Sequence, residues 1–203
     1  MREGILGGSF DPVHCGHLYV ARECLRALAL DRVLFVPARV PPHKQMVRLS
    51  EAQHRLAMAR LAIAGEAVFD VSDMELQRTG PSYTIDTILA ELTRLGDSAE
   101  LFLLMGADQA VEVETWRRIK ELVRLCQLVP VTREGTSLAG LDRLKGTLPE
   151  DAVEAMKSIA LRIPTRNIAA TEIRRRVRAG LPISEMVPAA VEAYIAEHGL
   201  YRD

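Results

Sequence analysis

Apolar and polar positions along the 203-residue chain switch between short solid apolar runs and longer stretches with helical spacing. "EGILGG" (3–8) is an apolar run ending in glycines, which predicts a short buried strand. In "GHLYVARECLRALAL" (16–30), Leu18, Ala21, Leu25 and Leu28 share one helical face. "RVLFVPA" (32–38) predicts a second strand, stopped by Pro37. A β-α-β unit in the first 40 residues favours parallel strands and a right-handed crossover. The next helix is predicted over "SEAQHRLAMARLAIAG" (50–65), with Ser50 as N-cap and Gly65 at its far end. "AVFDVSD" (67–73) is strand-like. "SYTIDTILAELTRLG" (82–96) predicts a helix opened by Ser82 and closed by Gly96. "ELFLLMGAD" (100–108) is a strongly apolar strand running into a loop. "WRRIKELVRL" (116–125) reads as a helix, "QLVPVTR" (127–133) as a strand and "SIALRIP" (158–164) as the last strand. "ATEIRRRVRAG" (170–180) and "PAAVEAYIAEHG" (188–199) close the chain as helices. "EGTSLAGLDRLKGTLPED" (134–151) has the weakest pattern and is expected to be a mobile surface connection.

Near-complete alternation of strands and helices predicts an α/β fold: an open, mainly parallel, Rossmann-like sheet with helices on both faces. The expected organisation is one domain over 1–203, in which 165–203 is a C-terminal helical part. Folds of this class bind ligands beyond the carboxyl ends of their strands. Three stretches fall there: Gly7–His17, Pro37–Lys44 and Gly106–Asp108.

Composition narrows the class. A 48% apolar content supports a sizeable core, and a formal net charge of -1 argues against a general nucleic-acid binder. Cys15, Cys24 and Cys126 form no CxxC pair, so a reducing, cytoplasmic setting is expected. The start "MREGILGGSF" lacks the apolar core of a signal peptide, and no apolar run approaches the ~20 residues needed to cross a bilayer. No membrane partner is expected, and homo-oligomerisation is left open.

The chemistry concentrates in "GGSFDPVHCGH" (7–17), where His14 and His17 stand three apart after a glycine pair. Zinc would want three or four ligands, and no second ligand pair has suitable spacing, since His54 and His198 sit in different helices. "GGSFD" has Asp11 where a nucleophile elbow needs a second small residue. A phosphate cradle uses more of the stretch: glycines after a strand, Gly16 letting a ligand approach the backbone, and a helix N-terminus carrying partial positive charge. Both histidines would then donate to phosphate oxygens. The plain alternative is that they merely cap the helix and fill its first turn. Neither G-x-x-x-x-G-K-[ST] nor G-x-G-x-x-G is present.

"GGSFDPVHCGH" resembles the (H/T)xGH signature of nucleotidyltransferases. "VPPHK" (40–44), "SYTIDT" (82–87), "GAD" (106–108) with Trp116 eight residues on, "IAATEIRRR" (168–176) and "VPAAVEAYIAEHGLY" (187–201) resemble bacterial nicotinate-nucleotide adenylyltransferases. That resemblance implies AMP transfer from ATP to nicotinate mononucleotide, with Mg²⁺ and no covalent enzyme intermediate. It implies catalytic roles for His14, His17 and Lys44. It places ATP against Gly7, Gly8, Ser9, Phe10, Gly16, Gly106, Asp108, Ile168, Thr171 and Arg174. It assigns nicotinate mononucleotide to His43, Tyr83, Thr84, Trp116 and Arg133, with Trp116 stacking on the pyridine ring and the backbone at 83–84 holding its carboxylate. Magnesium would be held mainly by the ATP phosphates. The family's usual I-S-S-T-x-I-R differs here at Ala169 and Ala170, which removes two hydroxyls and leaves Thr171, Arg174 and the helix N-terminus. Taken alone, "PPHK" would be a surface loop, Asp108 a helix N-cap, Trp116 a core residue and Arg175 and Arg176 a solvated face.

Overall fold

The structure is a computed structural model that describes residues 1–40, 49–96, 98–133, 138–164 and 168–202. The chain opens with β1 (Arg2–Gly8), α1 (Cys15–Ala27), β2 (Arg32–Pro37), α2 (Ala52–Ala62) and β3 (Phe69–Val71). It continues through α3 (Met74–Gln77), α4 (Thr84–Leu95), β4 (Glu100–Gly106), α5 (Ala107–Ala110), α6 (Ile119–Leu125) and β5 (Gln127–Arg133). A 3-10 helix (Ala139–Gly146), α7 (Glu150–Ile159), β6 (Leu161–Ile163), α8 (Ala170–Arg178) and α9 (Ala189–Glu197) complete it. Among the described residues the sheet has six strands in the order β3-β2-β1-β4-β5-β6, and each neighbouring pair is parallel. This is the doubly wound Rossmann order, whose winding reverses between β1 and β4.

Both faces of the sheet are apolar because every strand alternates its side chains. Leu6, Val33, Phe35, Phe102 and Leu104 belong to one core with residues of α1, α8 and α9. Their neighbours Ile5, Leu34, Val36, Leu101 and Leu103 belong to the other, with residues of α4, α6 and α7. Gly8 lies beside Pro37 in the β1–β2 register, and Leu6 beside Leu104 in β1–β4. The glycine turn after β1 therefore emerges next to the ends of both neighbouring strands.

Several local expectations are corrected. Ser50 and Ser82 are not N-caps; Glu51 and Tyr83 take those places. The Ser82 hydroxyl instead accepts from the Arg39 amide at 3.0 Å, a long-range partner that outcompetes a local cap. "GAD" is not a loop, since α5 begins at Ala107 directly after β4. Trp116 and Arg117 precede α6, and Arg118 adopts a left-handed φ of 56° at its start. Residues 134–137 lie outside the described set, but 138–151 is no loose connection. Leu141, Leu144 and Leu148 are buried against the second core, because this short 3-10 segment closes the sheet face beside α7.

That burial is testable. Leu144→Ala should lower unfolding stability by about 2–5 kcal/mol, as for a core leucine, measured by urea titration. A change within about 0.5 kcal/mol would mark the segment as surface.

Candidate active site

The site opens where the sheet reverses. Gly7, Gly8 and Ser9 leave β1 at the crevice and line two adjoining pockets. The larger has a volume of about 620 Å³. His14, Gly16 and His17 bound it on one side and Ile168, Thr171 and Arg174 on another. The smaller, about 200 Å³, lies toward α4, with Tyr83, Thr84, Trp116 and Glu75 in its wall. Met105 and Gln109 line both.

Two helix N-termini face the larger lobe. Neither N-cap, His14 of α1 or Ala169 of α8, makes a side-chain cap hydrogen bond. In α1 the Cys15 and His17 amides already donate to the Met186 and His14 carbonyls, both at 2.9 Å, so it is chiefly the α8 first turn that offers N–H groups to an anion, with both helix dipoles adding positive potential. Arg174 adds a cation from the same turn-and-a-half of α8, and its Nη1 donates to the Asp11 carbonyl at 2.6 Å.

The two histidines lie face to face, ring centroids 3.7 Å apart and 21° from parallel. The His14 amide donates to His17 Nδ1 at 3.2 Å. That nitrogen must be unprotonated, so a neutral His17 carries its proton on Nε2, the form that donates to a phosphate oxygen. His14 is buried, and its Nδ1 has no hydrogen-bond partner among the described residues. Burial pulls its pKa down from 6.5 to about 4, so the ring is neutral at pH 7. Phe10 is buried in a left-handed conformation with φ 49°. Its ring meets His17 edge-on at 5.0 Å and packs on Phe35, so it props the histidine as well as lining the lobe.

Gly16 has a second duty beyond ligand approach. A Cβ there would come within 3.0 Å of His14 Nδ1 and 3.1 Å of Cε1. The glycine makes room for the His14 ring. At Gly7 a Cβ would meet nothing within 4 Å, in keeping with its place on the open pocket wall.

In the smaller lobe the Arg117 guanidinium lies over the Tyr83 ring at 4.6 Å. Glu75 is buried behind it, accepts from Thr87 Oγ1 at 2.6 Å, and burial raises its pKa. Asp108 is exposed on α5 and lines neither lobe; its neighbour Gln109 does, with its Oε1 accepting from the Gly106 amide at 3.2 Å. His43 and Lys44 lie outside the described residues, as does the side chain of Arg133. Sequence patterns pointed to neither Glu75 nor Gln109 nor Asp11. The buried Asp11 accepts from Tyr201 Oη at 2.7 Å and from the Ser50 amide at 3.3 Å. Its only signal was its place inside the histidine motif.

Comparisons with known proteins agree with this geometry. Residues 5–176 match the cytidylyltransferase-like family model. A Thermus thermophilus protein named as a probable nicotinate-nucleotide adenylyltransferase is 45% identical over 202 residues, covering 100% of both chains. One of the same name from Dehalococcoides mccartyi is 39% identical and covers 99% of this chain and 97% of its own. The chain belongs to the nicotinate-nucleotide adenylyltransferase family. The fold is likewise shared with the Plasmodium falciparum nicotinic acid mononucleotide adenylyltransferase complexed with NaAD. That match has a TM-score of 0.76 at 19% identity and covers 98% of this chain and 97% of the other. Its complex with APC matches at a TM-score of 0.74, 18% identity, 98% and 96% coverage. Among the described residues no group of three or more His, Cys, Asp or Glu could hold a metal, and no helix is long and apolar enough to cross a membrane.

Two outcomes follow. Gly16→Ala should displace the His14 ring and cut kcat by about a hundredfold, the scale of an ångström's misplacement at a reacting centre; an unchanged steady-state rate would refute the steric role. His14, with a pKa of about 4 folded against 6.5 ordinarily, makes unfolding take up a proton between those values. Its stability contribution is full above pH 6.5 and is lost as pH falls toward 4. His14→Asn should therefore gain on the parent by about 3 kcal/mol from pH 7 to pH 4. Parallel urea-unfolding curves for the two proteins across that range would contradict the buried, neutral assignment.

Proposed function

We propose that the protein transfers AMP from ATP to nicotinate mononucleotide, giving nicotinate adenine dinucleotide and pyrophosphate in NAD biosynthesis. One observation carries this reading: two pockets of different character meet at the same glycine turn. The larger has two helix N-termini, a histidine pair and Arg174, which suit a triphosphate. The smaller has an aromatic wall at Tyr83 and Trp116, which suits a planar ring. Their shared wall at Gly7–Ser9 is where the reacting phosphates would meet.

In that arrangement a phosphate oxygen of nicotinate mononucleotide attacks the α-phosphorus of ATP in line. The new P–O bond forms as the bond from the α-phosphorus to the bridging oxygen breaks. Pyrophosphate leaves with the electron pair. Such chemistry depends on positioning and on stabilising charge as it spreads over the phosphate oxygens. His17 donates from Nε2. His14 enters neutral, and an adjacent triphosphate favours its charged form. The backbone after β1 and the N-termini of α1 and α8 hold the polyphosphate. By the family resemblance, His43 and Lys44 add positive charge, Trp116 stacks on the pyridine ring, and the backbone at 83–84 takes its carboxylate. By the same resemblance, magnesium would arrive with ATP and be held mainly by its phosphates; the buried Asp11 carboxylate beside the lobe is engaged by Tyr201 and Ser50. Bound there, magnesium would neutralise charge on the leaving pyrophosphate.

Purified protein with Mg-ATP and nicotinate mononucleotide should produce dinucleotide and pyrophosphate in equal amounts, with much slower turnover of nicotinamide mononucleotide. His17→Ala should lower kcat by about 10²- to 10³-fold, the cost of losing one transition-state donor. Absence of dinucleotide from either acceptor would overturn the assignment.

A further inference from the structure

Arg55, on α2, is 1% exposed, although arginine is almost never fully buried unless paired. Among the described residues it makes no ion pair with a carboxylate. Its guanidinium donates instead to four backbone carbonyls. Nε reaches Ser50 at 2.9 Å, Nη1 reaches Ser9 at 2.8 Å and Ala38 at 2.6 Å, and Nη2 reaches Arg39 at 3.3 Å. These acceptors come from three separate places: the turn after β1, the exit of β2 and the entry to α2.

A trans peptide unit is rigid, with its C=O and N–H pointing in opposite directions. Holding a carbonyl therefore aims the next residue's amide. The Ser9 carbonyl held by Arg55 turns the Phe10 N–H away from the guanidinium, and Ser9 and Phe10 both line the phosphate lobe. The Ala38 carbonyl held by Arg55 turns the Arg39 N–H toward Ser82 Oγ, 3.0 Å away. Ser82 lines the smaller lobe beside Tyr83 and Thr84. At the third point, the Ser50 amide donates to Asp11 while its carbonyl accepts from Arg55. One side chain thus sets the backbone of both lobes.

We infer that Arg55 is a positioning residue for adenylyl transfer, fixing the glycine turn that carries the phosphate site in register with the Arg39–Ser82 edge of the acceptor site. This rests on the two-substrate reading above. A planar fork is required, because a lysine ammonium has three donors at one point and cannot reach four carbonyls in three directions.

The test is Arg55→Lys, assayed at about 20 °C beside the parent protein, whose own turnover tests the two-substrate reading independently. The expected result is a folded variant with kcat reduced about a hundredfold and KM raised for both substrates. Amide exchange should speed up at Arg39 and Ser50 while the sheet amides of Val33 and Phe102 stay protected. Parental kcat and KM values, or faster exchange everywhere in proportion to lost stability, would overturn the positioning role. Ser82→Ala cuts the same relay at its far end with Arg55 intact. It should raise KM for nicotinate mononucleotide about tenfold, the scale of one lost hydrogen bond, and leave KM for ATP unchanged. Parental values in that variant would overturn the relay even if Arg55→Lys fails to fold.

Discussion

The reversal of winding between β1 and β4 is the constraint on which the site depends. Connections leaving neighbouring strands in opposite directions cannot cover the carboxyl ends between them, so a crevice opens there. β1 ends in two glycines at that point, and β4 ends in Gly106. The parallel register puts the three strand ends side by side. The glycine turn and the starts of α1 and α8 then line the larger pocket from the same edge of the sheet. The opposite ends of the strands carry a different kind of chemistry: Glu3 and Glu91 are buried beside Arg32 and Arg94, a structural ion network at the amino ends of β1 and β2.

The phosphate lobe obtains positive potential with few formal charges. Two helix N-termini without side-chain caps each contribute about half an elementary charge, and Arg174 contributes one. His14, buried, rests neutral. A cluster of lysines would have attracted the same ligand, but it would repel itself in the empty site and bind any polyanion. A chain with a net charge of -1 can still hold an anion where the positive potential comes mainly from dipoles. Arg55 follows the same logic from beneath. Burial depresses its pKa, the negative charge of Asp11 counters that, and carbonyl dipoles replace the water it has lost.

The strands were legible in the sequence because parallel strands buried on both faces read as solid apolar runs, and each ended near its predicted residue. Helix α1 was legible from spacing, and α2, α4, α8 and α9 also from glycines past their ends. Local pattern failed where a distant partner decided the outcome. Ser82 looks like a cap until Arg39 claims its hydroxyl. Arg55 looks like one more solvated arginine on an amphipathic helix until the fold delivers four carbonyls to it. Helix α7 was missed although it has a signal, with acidic residues in its first turn, Lys157 in its last, and Val153 and Met156 on one face; two apolar positions were too few to outweigh the glycines and proline before it. At the site, the histidine motif was readable as chemistry, whereas the reason for Gly16 was steric and needed the ring position of His14.

The two ends of the chain complete one pocket. Tyr201 Oη donates to Asp11 across 190 residues of sequence, and Arg174 reaches the Asp11 carbonyl across 163. Ile173, Val191 and Ile195 share their core with Leu6, Phe10 and Leu18. The N-terminal segment alone could form the β1 turn and α1, but the far wall of the phosphate lobe belongs to α8. Asp11 therefore cannot serve as a free carboxylate in the assembled protein; its oxygens and its carbonyl are occupied by the C-terminal segment and by Ser50. A carboxylate left free beside a triphosphate would repel it. Docking the C-terminal helices both builds the far wall of the larger pocket and engages Asp11, the buried acid among its described lining residues, so that pocket takes its shape only when α8 has docked.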